Sequence, residues 1–150
     1  MLFRSAASII YDDGIAYPIL LGNENRIKNI AEKNNIDISD LPIIDVRSDA
    51  MEEKREFFGS ILFQKRQRKG INKYESLKLM RTQNYFGAMM VETGEADAML
   101  SGLTRNYTDG IKPALHIIGT EEGVKKIAGM YLLLTKKGPL FLAEIGRAHV

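Results

Sequence analysis

The 150-residue sequence contains no cysteine, and that absence removes disulfides, thiolate metal sites and thiol nucleophiles together. Histidine is almost as scarce. Only His116 and His149 occur, with no third ligand at metal spacing, so no metal-ligating residue is assigned and a catalytic zinc is not expected. No apolar run approaches the ~20 residues that span a bilayer, and the opening Met-Leu-Phe-Arg-Ser lacks the apolar core of a signal peptide. A soluble, cytoplasmic protein with no membrane partner is the expectation. Charge of one sign is also in short supply: 21 Lys and Arg face 19 Asp and Glu, a formal net charge of +2. Neither disorder nor a nucleic-acid partner follows from such a balance. Repeats, low-complexity tracts and linkers are missing, so no internal domain boundary is proposed.

What is present is a 45% hydrophobic chain, long enough for one domain with a core. Leu2, Phe3, Ala6, Ala7, Ile10 and Tyr11 have helical spacing, closed by Gly14. Residues 16–22 read as a short buried strand, Glu24–Asn34 as a helix and Pro42–Val46 as a second strand. Alternation of helix with continuous apolar strand predicts an α/β fold, a parallel sheet covered by helices on both faces in three layers. Glu52–Lys69 reads as a longer helix. Its acidic residues come first and its basic residues last, in accord with the helix dipole, and Gly70 closes it. Two more helices follow, Tyr74–Thr82 and Asn84–Thr93. Asp97–Ser101 is expected as the third strand, and a further helix begins at Thr108 or Asp109 as N-cap and runs to Gly119. Met130–Leu134 and Leu140–Ala143 flank a hairpin turn at Lys136-Lys-Gly138.

The stretch from Gly94 to Arg105 carries the most chemical information. A strand ending in Ser-Gly that feeds a helix N-terminus puts backbone N–H groups at the carboxyl edge of a sheet, where ligands of open α/β folds bind. Ser101, Gly102, Thr104, Arg105 and Thr108 can hold an anionic group there. An ordinary strand–helix connection explains the same residues, and it takes precedence on pattern alone, because no complete phosphate-loop or dinucleotide glycine motif is present. The basic cluster Lys65-Arg-Gln-Arg-Lys69 invites a phosphate reading, yet a solvated helix C-terminus is the plainer account. Met89, Met90, Met99 and Met130 read as core filling. His116 reads as an ordinary helix residue.

Taken as one string, Tyr85 to Gly102 (Tyr-Phe-Gly-Ala-Met-Met-Val-Glu-Thr-Gly-Glu-Ala-Asp-Ala-Met-Leu-Ser-Gly) resembles the central motif of the phosphate acetyl/butyryltransferase family. Thr108-Asp-Gly-Ile-Lys-Pro-Ala-Leu115 and Gly14-Ile-Ala-Tyr-Pro-Ile-Leu-Leu-Gly22 extend the likeness, which runs from about residue 2 to residue 143. The segments after Ser101, with Thr104-Arg-Asn-Tyr107, Ile118-Gly-Thr120 and Gly138-Pro-Leu-Phe-Leu-Ala143, look most like the transferase-type C-terminal domain of NADP-dependent malic enzymes.

That resemblance implies one incomplete lobe of a two-domain fold, similar to the isocitrate and isopropylmalate dehydrogenase architecture. It implies an acyl-CoA ligand, acetyl-CoA foremost, and a homo-oligomeric parent. NADP and a divalent metal would belong only to a separate malic-enzyme domain. The main expectation is thus an acetyl-CoA-sensing domain; the alternative is part of a free-standing phosphate acyltransferase. The family's two anion-binding arginines map onto Arg66 and Lys112. Lysine keeps the charge but loses the bidentate fork. No catalytic residue is assigned, since the family's Asn-Asp-Leu-Ser-Arg-Gly motif does not occur in the sequence. Residues 1–143 are expected to form a partial domain, and 144–150 a non-native tail.

Overall fold

The structure, a computed structural model, describes residues 2–102, 106–124 and 127–144. The chain divides into two compact units, Met1–Ile118 and Gly119–Val150, a division that the sequence pattern does not announce. The first unit contains α1 (Leu2–Asp12), β1 (Leu20–Leu21), α2 (Glu24–Lys33), β2 (Ile43–Ile44), α3 (Glu52–Arg66), α4 (Lys73–Leu79), α5 (Gln83–Glu92) and α6 (Tyr107–Ile117). β1 and β2 pair in parallel, Leu20 opposite Ile43 and Leu21 opposite Ile44, with α2 as the crossover between them.

Local chemistry sets the helix ends. Asn23 caps α2 by accepting from the Arg26 N–H at 3.0 Å, and Asn72 and Glu75 form a reciprocal capping box on α4. Past α3 the chain tightens into a 3-10 turn, Gln67–Lys69, and stops at Gly70, whose φ of +93° suits only a residue without a Cβ. Mixed α/β character and parallel pairing agree with the sequence reading. Two expectations are corrected. Asp97–Ser101 is not a strand: no backbone–backbone hydrogen bond involves these residues among those described. A strand exists only through pairing with a neighbour, and an apolar run by itself does not supply one. The last helix starts at Tyr107 with Asn106 as N-cap, and neither Thr108 nor Asp109 caps it; both lie inside its first turn. The parallel sheet therefore extends over two strands among the described residues of this unit.

The core forms around α5. Tyr85, Phe86, Gly87, Ala88, Met89 and Met90 are consecutive and all buried, the mark of a helix enclosed on every side. Phe86 meets Phe58 of α3 edge-on, with ring centroids 5.0 Å apart. Leu62, Met80, Val46 and Ile117 complete the cluster. Gly87 admits β1 and the Met99 segment: a Cβ there would lie 3.0 Å from Leu21 Cδ1 and 3.1 Å from Met99 Sδ. Met89 and Met90 fill the core as expected, and Met99 packs against it from a half-buried position.

The second unit is an antiparallel hairpin of β3 (Gly129–Thr135) and β4 (Gly138–Glu144), turned at Lys136-Lys137 as the sequence predicts. Met130, Tyr131, Leu132, Leu133, Leu134, Leu140, Phe141 and Leu142 are all exposed, so Met130 is not a core methionine here. Residues 145–150, which include His149 and nearly all of the expected tail, lie outside the described residues.

Because Phe86 has no exposed surface, Phe86→Ala is expected to cost about 3–5 kcal/mol. Urea denaturation followed by far-UV circular dichroism measures that loss.

Candidate functional site

Pro113 lies inside α6. Proline has no N–H, so the carbonyl four residues earlier, that of Asp109, loses its intrahelical donor. Asn84, the second residue of α5, fills the gap: its Nδ2 donates to Asp109 O at 3.2 Å. The same side chain accepts from Ser101 Oγ through Oδ1 at 2.8 Å. One amide thus joins the Ser101-Gly102 segment to the first turn of α6. Gly102 follows with φ +126°, a backbone that favours glycine. Ser101, Gly102 and Thr108 are exposed and gather at the α6 N-terminus, where unsatisfied N–H groups and the helix dipole favour an anion. Thr104 and Arg105 lie outside the described residues.

The other end of α6 is held from α3. Arg66 Nε donates to His116 O at 2.6 Å, and its Nη2 donates to Leu115 O. Lys65 Nζ donates to Ile117 O at 2.9 Å and pairs with Glu92 of α5. Three consecutive carbonyls that a helix C-terminus leaves without partners are met by two cations. This corrects the view of the whole Lys65–Lys69 cluster as a solvated helix end: its first two members cap a neighbouring helix. Arg66 is half-buried, whereas Lys69 and Lys112 are exposed.

His116 sits among these groups. Its Nδ1 lies 2.9 Å from the Tyr85 hydroxyl, and the two rings meet edge-on with centroids 5.9 Å apart. Lys112 stands one turn earlier on the same face of α6, at i−4. Burial, followed by the charges of Arg66, Lys112 and Lys69, lowers the His116 pKa from its ordinary 6.5. Burial pushes the Tyr85 hydroxyl up, against the opposing influence of Arg66. Electrostatically, then, Arg66 and Lys112 act on one locus, the His116 ring, and Ser101 and Thr108 lie toward the opposite end of α6. No group of three or more carboxylate, histidine or cysteine side chains able to hold a metal ion occurs among the described residues.

A hollow of ≈ 530 Å³ lies elsewhere, between α2 and the 36–41 segment, lined by Lys28, Glu32, Asp37 and Leu41 among others. It contains none of the residues singled out above, and the chemistry around α6 outweighs its volume. Sequence reasoning missed Asn84 and the Tyr85–His116 pair. Pro113 in the middle of a predicted helix was the available signal for the first, since it demands an outside donor.

Residues 3–147 match the family described as phosphate acetyl/butaryl transferase. The phosphate acetyltransferase of Staphylococcus epidermidis is 34% identical over 129 residues, which is 86% of this chain and 38% of the relative. The phosphate acetyltransferase of Clostridium acetobutylicum gives the same identity and coverage. Among solved structures, the EutD phosphotransacetylase from Staphylococcus aureus superposes with a TM-score of 0.75 at 28% identity, covering 91% of this chain and 40% of that one. A phosphotransacetylase from Streptococcus pyogenes gives a TM-score of 0.72 at 27% identity. The chain therefore spans about two fifths of the length of the relatives it matches.

Two outcomes follow from the geometry. Asn84→Ala is expected to cost up to about 1 kcal/mol, since the Asp109 carbonyl loses its protein donor at an exposed position where water can replace it. Most of that cost should vanish in a Pro113→Ala background, where residue 113 regains its N–H; a double-mutant cycle in urea measures the coupling. The second concerns pH. His116 has a folded pKa below its unfolded value, so its contribution to stability is present above pH 6.5 and is lost as pH falls through the folded pKa. Denaturation midpoints between pH 7.5 and pH 5 should fall less steeply in His116→Gln than in wild type.

Proposed function

The chain belongs to the phosphate acetyl/butaryl transferase family, and from that premise we propose that it forms one lobe of a site for acyl transfer between coenzyme A and phosphate. The relatives named above are phosphate acetyltransferases, and that favours the free-standing transferase over the malic-enzyme regulatory domain that the segments after Ser101 suggested. NADP, a divalent metal and oxidoreductase chemistry, all expected only with a malic-enzyme domain, gain nothing from those relatives. Among the described residues, no helix is long and apolar enough to cross a membrane. The isocitrate dehydrogenase-like three-layer lobe and a homo-oligomeric, cytoplasmic parent belong to the same proposal.

The observation that carries this reading is the Asn84 bridge. It joins the Ser101 hydroxyl to the Asp109 carbonyl in the first turn of α6, and in this reading the N–H and hydroxyl groups there cradle an anionic group. Thr104 and Arg105, between Gly102 and that turn, would add donors. Lys112 faces outward further along α6, and Arg66 holds a cation beside it while tying down the helix end. In this reading both bind phosphate oxygens of the ligand, Lys112 as a point charge. The transferred acyl group needs a nucleophile path and charge stabilisation at its carbonyl, for which no catalytic residue in this chain is proposed.

The test is to incubate the complete polypeptide carrying this chain with acetyl-CoA and follow thiol release with and without inorganic phosphate. Phosphate-dependent release with formation of acetyl phosphate is expected. Asn84→Ala should lower kcat/KM at least about tenfold, the equivalent of roughly 1.4 kcal/mol of lost positioning. Thiol release indifferent to phosphate would refute transferase activity, and acetyl-CoA-sensitive oxidation of malate by the same polypeptide would restore the malic-enzyme reading.

A further inference from the structure

We propose that His116, held by Tyr85 beside Arg66, Lys69 and Lys112, is a proton-carrying member of the anion subsite, so that a phosphate-bearing ligand binds together with one proton. The inference rests on the reading of Arg66 and Lys112 as ligand contacts and adds to it a group that the resemblance does not assign.

The geometry comes from three helices. On α6, Lys112 and His116 are one turn apart and share a face. From the end of α3, Arg66 bonds the backbone carbonyl of His116 itself. Lys69 follows it by one turn of the 3-10 segment Gln67–Lys69. From α5, Tyr85 meets the imidazole Nδ1. Lys65, which also reaches this end of α6, is paired with Glu92. Neither Lys69 nor Lys112 takes part in an ion pair among the described residues. His116 therefore faces unneutralised positive charge from two directions.

Empty, such a site resists a further proton. A bound dianion reverses the balance: it cancels the repulsion among the cations and gives imidazolium an attractive partner. Tyr85 accommodates both states. Its hydroxyl donates to Nδ1 when that nitrogen is unprotonated, and its oxygen accepts from Nδ1–H when the ring is charged. The Tyr85–His116 contact thus survives protonation, and the ring stays in place as it gains charge. By linkage, whatever raises the His116 pKa on binding must bind more tightly as pH falls.

Sulfate is the probe of choice, because it is a dianion that does not titrate between pH 5.5 and pH 7.5. Isothermal titration of the full chain should show sulfate affinity rising about three- to tenfold over that range as pH is lowered, a rise that corresponds to a pKa change of up to about one unit. In His116→Gln, which retains a hydrogen-bonding partner for Tyr85, the rise should be absent. Proton NMR of the imidazole C–H signals supplies a readout on the wild-type chain: the His116 midpoint should move up when sulfate is added. A parallel titration with CoA asks whether the natural ligand follows the same rule. An unmoved midpoint, or an equal pH slope in wild type and His116→Gln, overturns the proton linkage and leaves Arg66 and Lys112 as anion contacts. Failure of both sulfate and CoA to bind at any pH overturns those contacts as well.

Discussion

A missing hydrogen governs the arrangement of this molecule. Pro113 cannot donate to the Asp109 carbonyl, so that oxygen takes its protein donor from outside the helix. Asn84 supplies it from α5. An amide offers both a donor and an acceptor, so the side chain that repairs α6 also grips Ser101. The defect in one helix and the placement of the loop before it are a single event. Since α5 is enclosed by the core from Tyr85 to Met90, Asn84 is anchored beside a buried stretch and links it to the exposed Ser101 segment.

The far end of α6 shows the same economy. Lys65 and Arg66 satisfy three carbonyls that the helix leaves open, and they bring positive charge to His116 in doing so. A cation that caps a helix is held in place by geometry rather than by a carboxylate, so its charge remains available to a ligand. Lys65 is the exception, because Glu92 neutralises it. Arg55 repeats the motif deeper in the core, where its Nη1 donates to the carbonyls of Val46 and Ser48 at 3.0 and 2.6 Å. α3 thereby ties the end of β2 to the end of α6, and the two ends of the fold are referred to one helix.

Family membership and this geometry enter the proposal at different scales. The match over residues 3–147 defines the family and the kind of fold; the contacts around α6 supply the arrangement on which the proposed ligand reading rests. The relatives extend well beyond the region they share with this chain. The exposed apolar residues of the β3–β4 hairpin have the composition of strands that other proteins bury on both faces.

Much of the fold was legible from sequence because local rules decide it. Helical spacing, the stops at Gly14 and Gly70, and the two-lysine hairpin turn all follow from residues within one or two turns of each other; the caps at Asn23 and Asn72 are equally local, but only the structure identified them. The third strand was not legible, since Asp97–Ser101 has strand-like composition and pairing depends on a neighbour that composition does not name. The candidate site divides along the same line. Ser101, Gly102, Arg66 and Lys112 could be singled out from motif and resemblance. Asn84 as a bridge, Arg66 as a helix cap and His116 as the centre of a cationic locus could not. Each depends on a contact across at least 17 residues, and only packing brings such residues together. By itself, then, the sequence determined which segments become helices, where they stop and to which family the chain is akin. The tertiary structure decided which side chains came to fill the open carbonyls, because only packing brings a donor on one helix within reach of a carbonyl on another.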